Sequence, residues 1–166
     1  MQDHEPTAHD DIAARPNRLP WPPIIYTGAF ALSWVLQEAA PLAFLDANLA
    51  GAPKWLGLGL AGSGFMLDLL AMSALVRHRT AILPNMGSSA LVSSGVFAYT
   101  RNPIYLGNTI LLIGFAIALR WGWLLLAVPI TVIAVTHLAI AREEKHLSAR
   151  FGDAWSAYAA RVRRWL

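Results

Sequence analysis

The chain has no cysteine. That excludes disulfides, thiolate metal sites and a cysteine nucleophile together. Charge is scarce too: Asp, Glu, Lys and Arg make up 14% of the 166 residues, thin cover for a soluble domain of this size. There is no glycine-rich phosphate loop and no internal repeat. The start lacks the basic stretch and apolar core of a signal peptide. What fills the sequence instead is apolar: 56% hydrophobic residues with seven Trp, gathered into long runs. The length allows one domain, and the composition makes it a membrane protein. A net charge of +3 suggests nucleic acid only until the charges are placed. They flank the apolar runs, so no nucleic-acid partner is expected.

Residues 1–20 are polar and proline-containing, which predicts a disordered cytoplasmic tail ahead of a single domain over 21–166. Residues 24–45 form a mostly apolar run, about 33 Å long as a helix and enough to span a bilayer. Pro41 should kink it near its far end, and Glu38 lies inside it. A loop over 46–54 leads to a second span over 55–76, starting at an interfacial Trp. Gly57, Ala61 and Gly64 line one side of that span and permit close helix approach, while Asp68 sits deep within it. Residues 80–94 read as loop. Residues 104–119 form a shorter apolar helix of about 24 Å, residues 120–122 a tight turn, and residues 123–141 a returning helix bent at Pro129. From Arg142 the pattern is an amphipathic helix with Leu147, Phe151, Trp155 and Tyr158 on one face, divided at Gly152. The fold class is therefore all-α and integral to the membrane: about four transmembrane helices plus a C-terminal cytoplasmic amphipathic helix. With the start inside, Arg15, Arg18, Arg77, Arg79, Arg101, Arg142, Lys145, Arg150, Arg161, Arg163 and Arg164 are cytoplasmic, against only Lys54 and Arg120 outside. That bias places both termini in the cytoplasm of a multi-pass cell-membrane protein.

Information concentrates at Gly95 to Gly107, where Gly, Tyr, Arg, Asn and Pro interrupt two apolar runs. Pro103 holds Asn102 extended and suits the first turn of a helix, so Arg101 and Asn102 stand at a helix mouth, where unpaired N–H groups favour an anionic or strongly polar ligand group. An Arg in that position also serves simply as a topology signal. About forty residues on, Glu143-Glu144 is followed by Leu147, Phe151, Gly152, Tyr158 and Val162. The two stretches together, through Gly95, Phe97, Tyr99, Arg101, Pro103, Tyr105, Gly107 and these later positions, resemble the isoprenylcysteine carboxyl methyltransferase and phospholipid methyltransferase family of integral-membrane enzymes. The resemblance covers residues 80–166. The sequence departs from it at Asn102, where the family usually has His; Asn can hydrogen-bond but cannot titrate near neutrality.

The resemblance implies S-adenosyl-L-methionine as methyl donor, bound at the cytoplasmic end of the last two helices, with Gly95, Tyr99, Arg101, Asn102, Pro103, Tyr105, Glu143 and Glu144 as cofactor-binding candidates. The residue types suit it. An ionised Glu143 or Glu144 accepts from ribose hydroxyls or an ammonium, and neighbours on a helix diverge by about 100°, so one of the two should face the ligand. Tyr99 or Tyr105 would shield the adenine. Methyl transfer needs alignment more than acid–base help. Asn108 shares a face with Tyr105, and His137 aligns with Glu144 seven residues on; Asn108 and His137 are the catalytic candidates. No metal is expected. The acceptor is lipid-like or amphiphilic and reaches the site from the membrane lipid. Two other readings stand beside this one: a steroid-reductase-like membrane enzyme using a nicotinamide cofactor, and a scaffold that keeps the fold without the activity.

Overall fold

The computed structural model describes residues 21–80 and 88–166, and no strand occurs among them. The expected tail, residues 1–20, and residues 81–87 of the expected loop lie outside the described residues. Helix α1 (Trp21–Ala39) opens on Trp21-Pro22-Pro23, where proline is harmless because first-turn N–H groups have no intrahelical acceptor. It ends two residues before Pro41. The chain then re-forms as a short helix, α2 (Ala43–Ala50). This corrects the expected kinked span over 24–45 and loop over 46–54. A residue preceding proline is biased out of the helical region, so the break is complete, and the Leu- and Ala-rich stretch after it is helical in its own right. The indole of Trp123 donates to the carbonyl of Ala40 at 2.7 Å, satisfying an acceptor at the break.

Two of the described helical stretches are long and apolar enough to cross a membrane: α3 (Lys54–Arg77) and the run Gly122–Arg161. The shorter apolar α4 (Pro103–Leu119) lies between them, with Pro103 in its first turn and Asn102 as its N-cap residue. Helices α3 and α4 meet backbone to backbone. Gly57, Ala61 and Gly64 are buried on α3 as expected, against Gly107, Gly114 and Ala118 of α4. A Cβ added to Gly64 would lie 2.5 Å from the Gly107 carbonyl oxygen, and one on Gly114 would lie 2.4 Å from the Ala61 nitrogen. Asp68 fills the next position of the same stripe and abuts Gly107.

Arg120 closes α4 in the left-handed region at φ 60°, and the next N–H, of Trp121, returns to Ala116 O at 2.9 Å; this is the expected tight turn. The run Gly122–Arg161 has three parts: α5 (Gly122–Val135), a π-helical turn over Thr136–Ile140, and α6 (Ala141–Arg161). Gly152 has φ 50° and ψ −121°, so α6 bends there, as its sequence suggests. Beyond the bend Trp155, Tyr158 and Val162 pack with Leu91, Leu147 and Phe151. The main core gathers Tyr26, Tyr105, Leu112, Leu124, Val135 and Ile140 from α1, α4, α5 and the π turn.

Candidate active site

The start of α1, the end of α3, the loop 88–102 and the first turns of α4 and α6 enclose a cavity of about 420 Å³, within the roughly 300–1,000 Å³ typical of cofactor and small-molecule sites. Its wall has two characters. Met72, Leu75, Leu91, Val92, Ile104 and Leu147 contribute apolar surface, and Arg101, Asn102, Tyr105, Glu143 and Glu144 polar surface.

The polar surface is built from short-range rules. Gly95, at φ +62°, lets the chain turn into a 3₁₀ segment over Gly95–Ala98, a conformation that a side chain would strain. The hydroxyl of Tyr158 donates to the Phe97 carbonyl in that turn at 2.7 Å; burial pushes this phenol up to about 12. Pro103 then starts α4 and directs Tyr105 inward, where its hydroxyl donates to Glu143 Oε1 at 2.5 Å. The Tyr105 backbone carbonyl is held in turn by the Tyr26 hydroxyl at 2.9 Å. Glu143 lies just past the apolar run that ends at Ala141. Burial is the main reason its carboxyl is pushed up to about 7; the Tyr105 hydroxyl opposes the shift and the neighbouring Glu144 adds to it.

Glu144 is differently placed. Arg164 grips it with a two-pronged contact, Nε to Oε1 at 3.0 Å and Nη2 to Oε2 at 2.5 Å, the bidentate geometry that gives Arg–carboxylate pairs their directionality. The bonded carboxylate raises the Arg164 guanidinium pKa further above its usual value. Arg101 stands on the other side of Glu144, Nη1 to Oε1 3.4 Å, with its guanidinium 5.6 Å from the centre of the Trp155 ring. The Nε of Arg101 is buried with no hydrogen-bond partner among the described residues.

The structure thus brings Arg101, Asn102, Pro103, Tyr105, Glu143, Glu144 and Asn108 to the lining of one cavity. It does not bring Gly95, Tyr99 or His137 there. Gly95 shapes the turn, and Tyr99 is 80% exposed. His137 is exposed within the π turn. The seven-residue alignment of His137 with Glu144 assumes regular α-helix, and one extra residue in a π turn rotates everything after it by about 100°. The imidazole at the cavity is instead His146, buried and accepting at Nε2 from the Ser88 N–H at 3.2 Å. Its three-residue spacing from Glu143 is the signal that sequence reasoning passed over. Arg164 and Tyr26 carried no local signal at all. Glu38 is exposed near the end of α1, and among the described residues no cluster of His, Asp and Glu could hold a metal.

Residues 53–154, more than half the chain, match the phospholipid methyltransferase family. The chain belongs to that family. An uncharacterized protein of Haemophilus influenzae is 35% identical over 63 residues, 38% of this chain and the whole of that protein. No solved structure matches the chain. The phospholipid methyltransferase match begins at the foot of α3, further toward the start than residue 80, and so takes in the glycine stripe. It ends before Tyr158, Val162 and Arg164. A methyltransferase needs a methyl donor, and the polar surface fits one that carries an amino acid. Among the described residues the Arg101 Nε is a buried donor left over, suited to a carboxylate, and Glu143, bonded to Tyr105 alone, is an acceptor suited to an ammonium or a hydroxyl.

Proposed function

We propose that this protein is an S-adenosylmethionine-dependent membrane methyltransferase acting on a lipid-like or amphiphilic acceptor. The carrying observation is that the Glu143–Tyr105 pair and Arg101 line one cavity together with apolar side chains such as Met72, Leu75 and Leu91. Such a mixed lining suits a charged cofactor together with a hydrocarbon-bearing acceptor. When bound, S-adenosylmethionine supplies an electrophilic methyl group on a cationic sulfur. Arg101, stacked on Trp155, offers Nε to the donor's carboxylate. Glu143, aimed by Tyr105, accepts from its ammonium or ribose hydroxyls. Asn108 spends its Nδ2 on the Ile104 carbonyl at 2.9 Å, and its amide oxygen serves to orient the acceptor. His146 accepts at Nε2 from the Ser88 N–H and so helps to hold the loop. The site works by positioning, which suits a displacement that depends on alignment.

The test is calorimetric titration of the detergent-purified protein with S-adenosylmethionine and, separately, with a reduced nicotinamide dinucleotide. Binding of the first alone is expected. Binding of the dinucleotide alone overturns this reading in favour of a reductase, and binding of neither favours a scaffold. Mass spectrometry of lipid extracts from cells with and without the protein, searched for pairs differing by one CH₂, then identifies the acceptor.

A further inference from the structure

Residues 162–166 do not trail away from α6. They fold back across the mouth of α4 and bond to three consecutive residues there. The Arg101 N–H donates to the Arg163 carbonyl at 3.0 Å. The Arg164 carbonyl accepts from Thr100 Oγ1 at 3.2 Å and from Asn102 Nδ2 at 2.9 Å. Val162 is buried against Trp155 and Tyr158, and Trp165 packs on the main core. From this seat the Arg164 guanidinium reaches Glu144 with both prongs. The segment lies beyond residues 53–154 that match the family, and it accounts for Asn102: the amide that replaces the usual His is spent on a backbone carbonyl.

The two adjacent carboxylates are therefore not equivalent. Both oxygens of Glu144 are taken by Arg164, and Oε1 is shared with Arg101. Among the described residues Glu143 has one hydrogen-bond partner, a neutral hydroxyl. A carboxylate saturated by two guanidinium groups has little left for a third cation, whereas one held by a single hydroxyl does. Arg101 also depends on the arrangement. With both Glu144 oxygens held by Arg164, the Arg101 contact stays at a single 3.4 Å approach and its guanidinium stays over Trp155; with Arg164 gone, Glu144 is free to close onto Arg101 and occupy it fully.

We infer that residues 162–166 are a clasp across the start of α4, in which Arg164 is a positioning residue that anchors Glu144 and so keeps Arg101 available, leaving Glu143 as the carboxylate that meets the cofactor's cationic group. Only the cofactor clause rests on the proposed function. The clasp itself is tested without ligand. The chain has no cysteine and Leu166 is 75% exposed, so Leu166→Cys carries a single nitroxide whose mobility reports the segment. Restricted motion is expected in the parent, free motion in Arg164→Ala and Glu144→Gln, and intermediate motion in Arg164→Lys, which keeps the charge and loses the fork.

Calorimetry with S-adenosylmethionine then reads the positioning role. Arg164→Ala is expected to weaken binding about tenfold, the scale of one charge-assisted hydrogen bond, with millimolar guanidinium restoring most of it. The double variant Arg164→Ala/Glu144→Gln is expected to lose no more than the worse single one, because the two residues act through each other. If Arg164→Ala yields no folded protein, Arg164→Lys carries the same readouts with a smaller loss. A nitroxide equally restricted in parent and Arg164 variants overturns the clasp. A freed nitroxide with undiminished affinity, or losses that simply add, overturns the positioning role. A parent that binds no S-adenosylmethionine defeats the proposed function and the Glu143 assignment, while the nitroxide still decides the clasp.

Discussion

Glu143 is half-buried at the cavity and bonded to the Tyr105 hydroxyl, and burial pushes its carboxyl up to about 7, which has a direct consequence for ligand binding. Below that pH the free protein carries the proton, and a cation must displace it to pair. Affinity for S-adenosylmethionine should therefore rise by up to about tenfold per pH unit as pH approaches 7 and flatten above it, with a proton released on binding. Titrations from pH 5.5 to 8.5 in buffers of different ionisation enthalpy measure both, and a flat profile contradicts a direct role for Glu143. The same shift acts on folding with the opposite sign. A carboxyl that binds its proton more tightly folded than unfolded adds stability below about 4.3, its unfolded value, and that contribution is lost as pH climbs through 7. Glu143→Gln removes the charge at all pH values; cofactor affinity should fall about tenfold or more and the pH dependence should vanish. At Asn102 the expected results follow from its bond to the Arg164 carbonyl. Asn102→His retains an N–H to donate and should leave binding within about threefold, whereas Asn102→Asp sets an acceptor against an acceptor and should cost about 1–3 kcal/mol of stability, read as a lower Tm in detergent. Much of this wall was legible beforehand, because Arg101, Tyr105 and the Glu pair lie in short motifs of unusual polarity. Arg164 was not, since its partner is twenty residues away across a bend at Gly152 whose direction the sequence does not encode.

Single elements were readable where one local rule governs, and misread where two compete or where no residue carries a signal. The second span was placed to within a residue or so because an apolar run with a glycine stripe admits one arrangement, and α3 against α4 is that arrangement. This gives a paired prediction. Gly64→Ala puts a methyl group 2.5 Å from a backbone oxygen that cannot move without parting the helices, and should cost about 1–3 kcal/mol. Gly62→Ala, two positions away on the same helix, meets nothing within 4 Å and should be neutral or slightly stabilising through helix propensity. Thermal unfolding of both variants in detergent checks this, and equal losses would show that the close approach of α3 and α4 carries no special weight. The two misreadings have physical causes. At Pro41 hydropathy argues for continuing the helix and backbone sterics for stopping it, and sterics won. At Thr136–Ile140 no residue announces a π turn, yet that turn sets the rotation of α6 and with it which side chains face the cavity.

For the molecule as a whole, the distribution of charge and the location of the site must agree with one orientation in the membrane. Arg77, Arg101, Arg142, Lys145, Arg150, Arg161, Arg163 and Arg164 all lie on segments at the cavity end of the fold, while Lys54 and Arg120 lie at the opposite ends of α3 and α4. Positive residues are retained on the cytoplasmic side, so the cavity mouth and the clasp are expected to face the cytoplasm, where a soluble cofactor is available. With α1, α3, α4 and α5 as crossing segments, Trp21 and Leu166 are expected on that side. At 17 residues, α4 is about 26 Å long, short of the roughly 30 Å hydrocarbon core. Its outer end is therefore expected to sit slightly below the far surface, with Arg120 reaching up to the interface by its long side chain. The absence of cysteine makes the test clean. In sealed right-side-out vesicles a membrane-impermeant maleimide should label Ala50→Cys at the far end of α2, label Leu119→Cys more slowly, and leave Leu166→Cys untouched until the vesicles are opened. Prompt labelling of Leu166→Cys from outside would place the clasp on the wrong side for a cytoplasmic cofactor, and would count against both the four-segment topology and the donor assigned to the cavity.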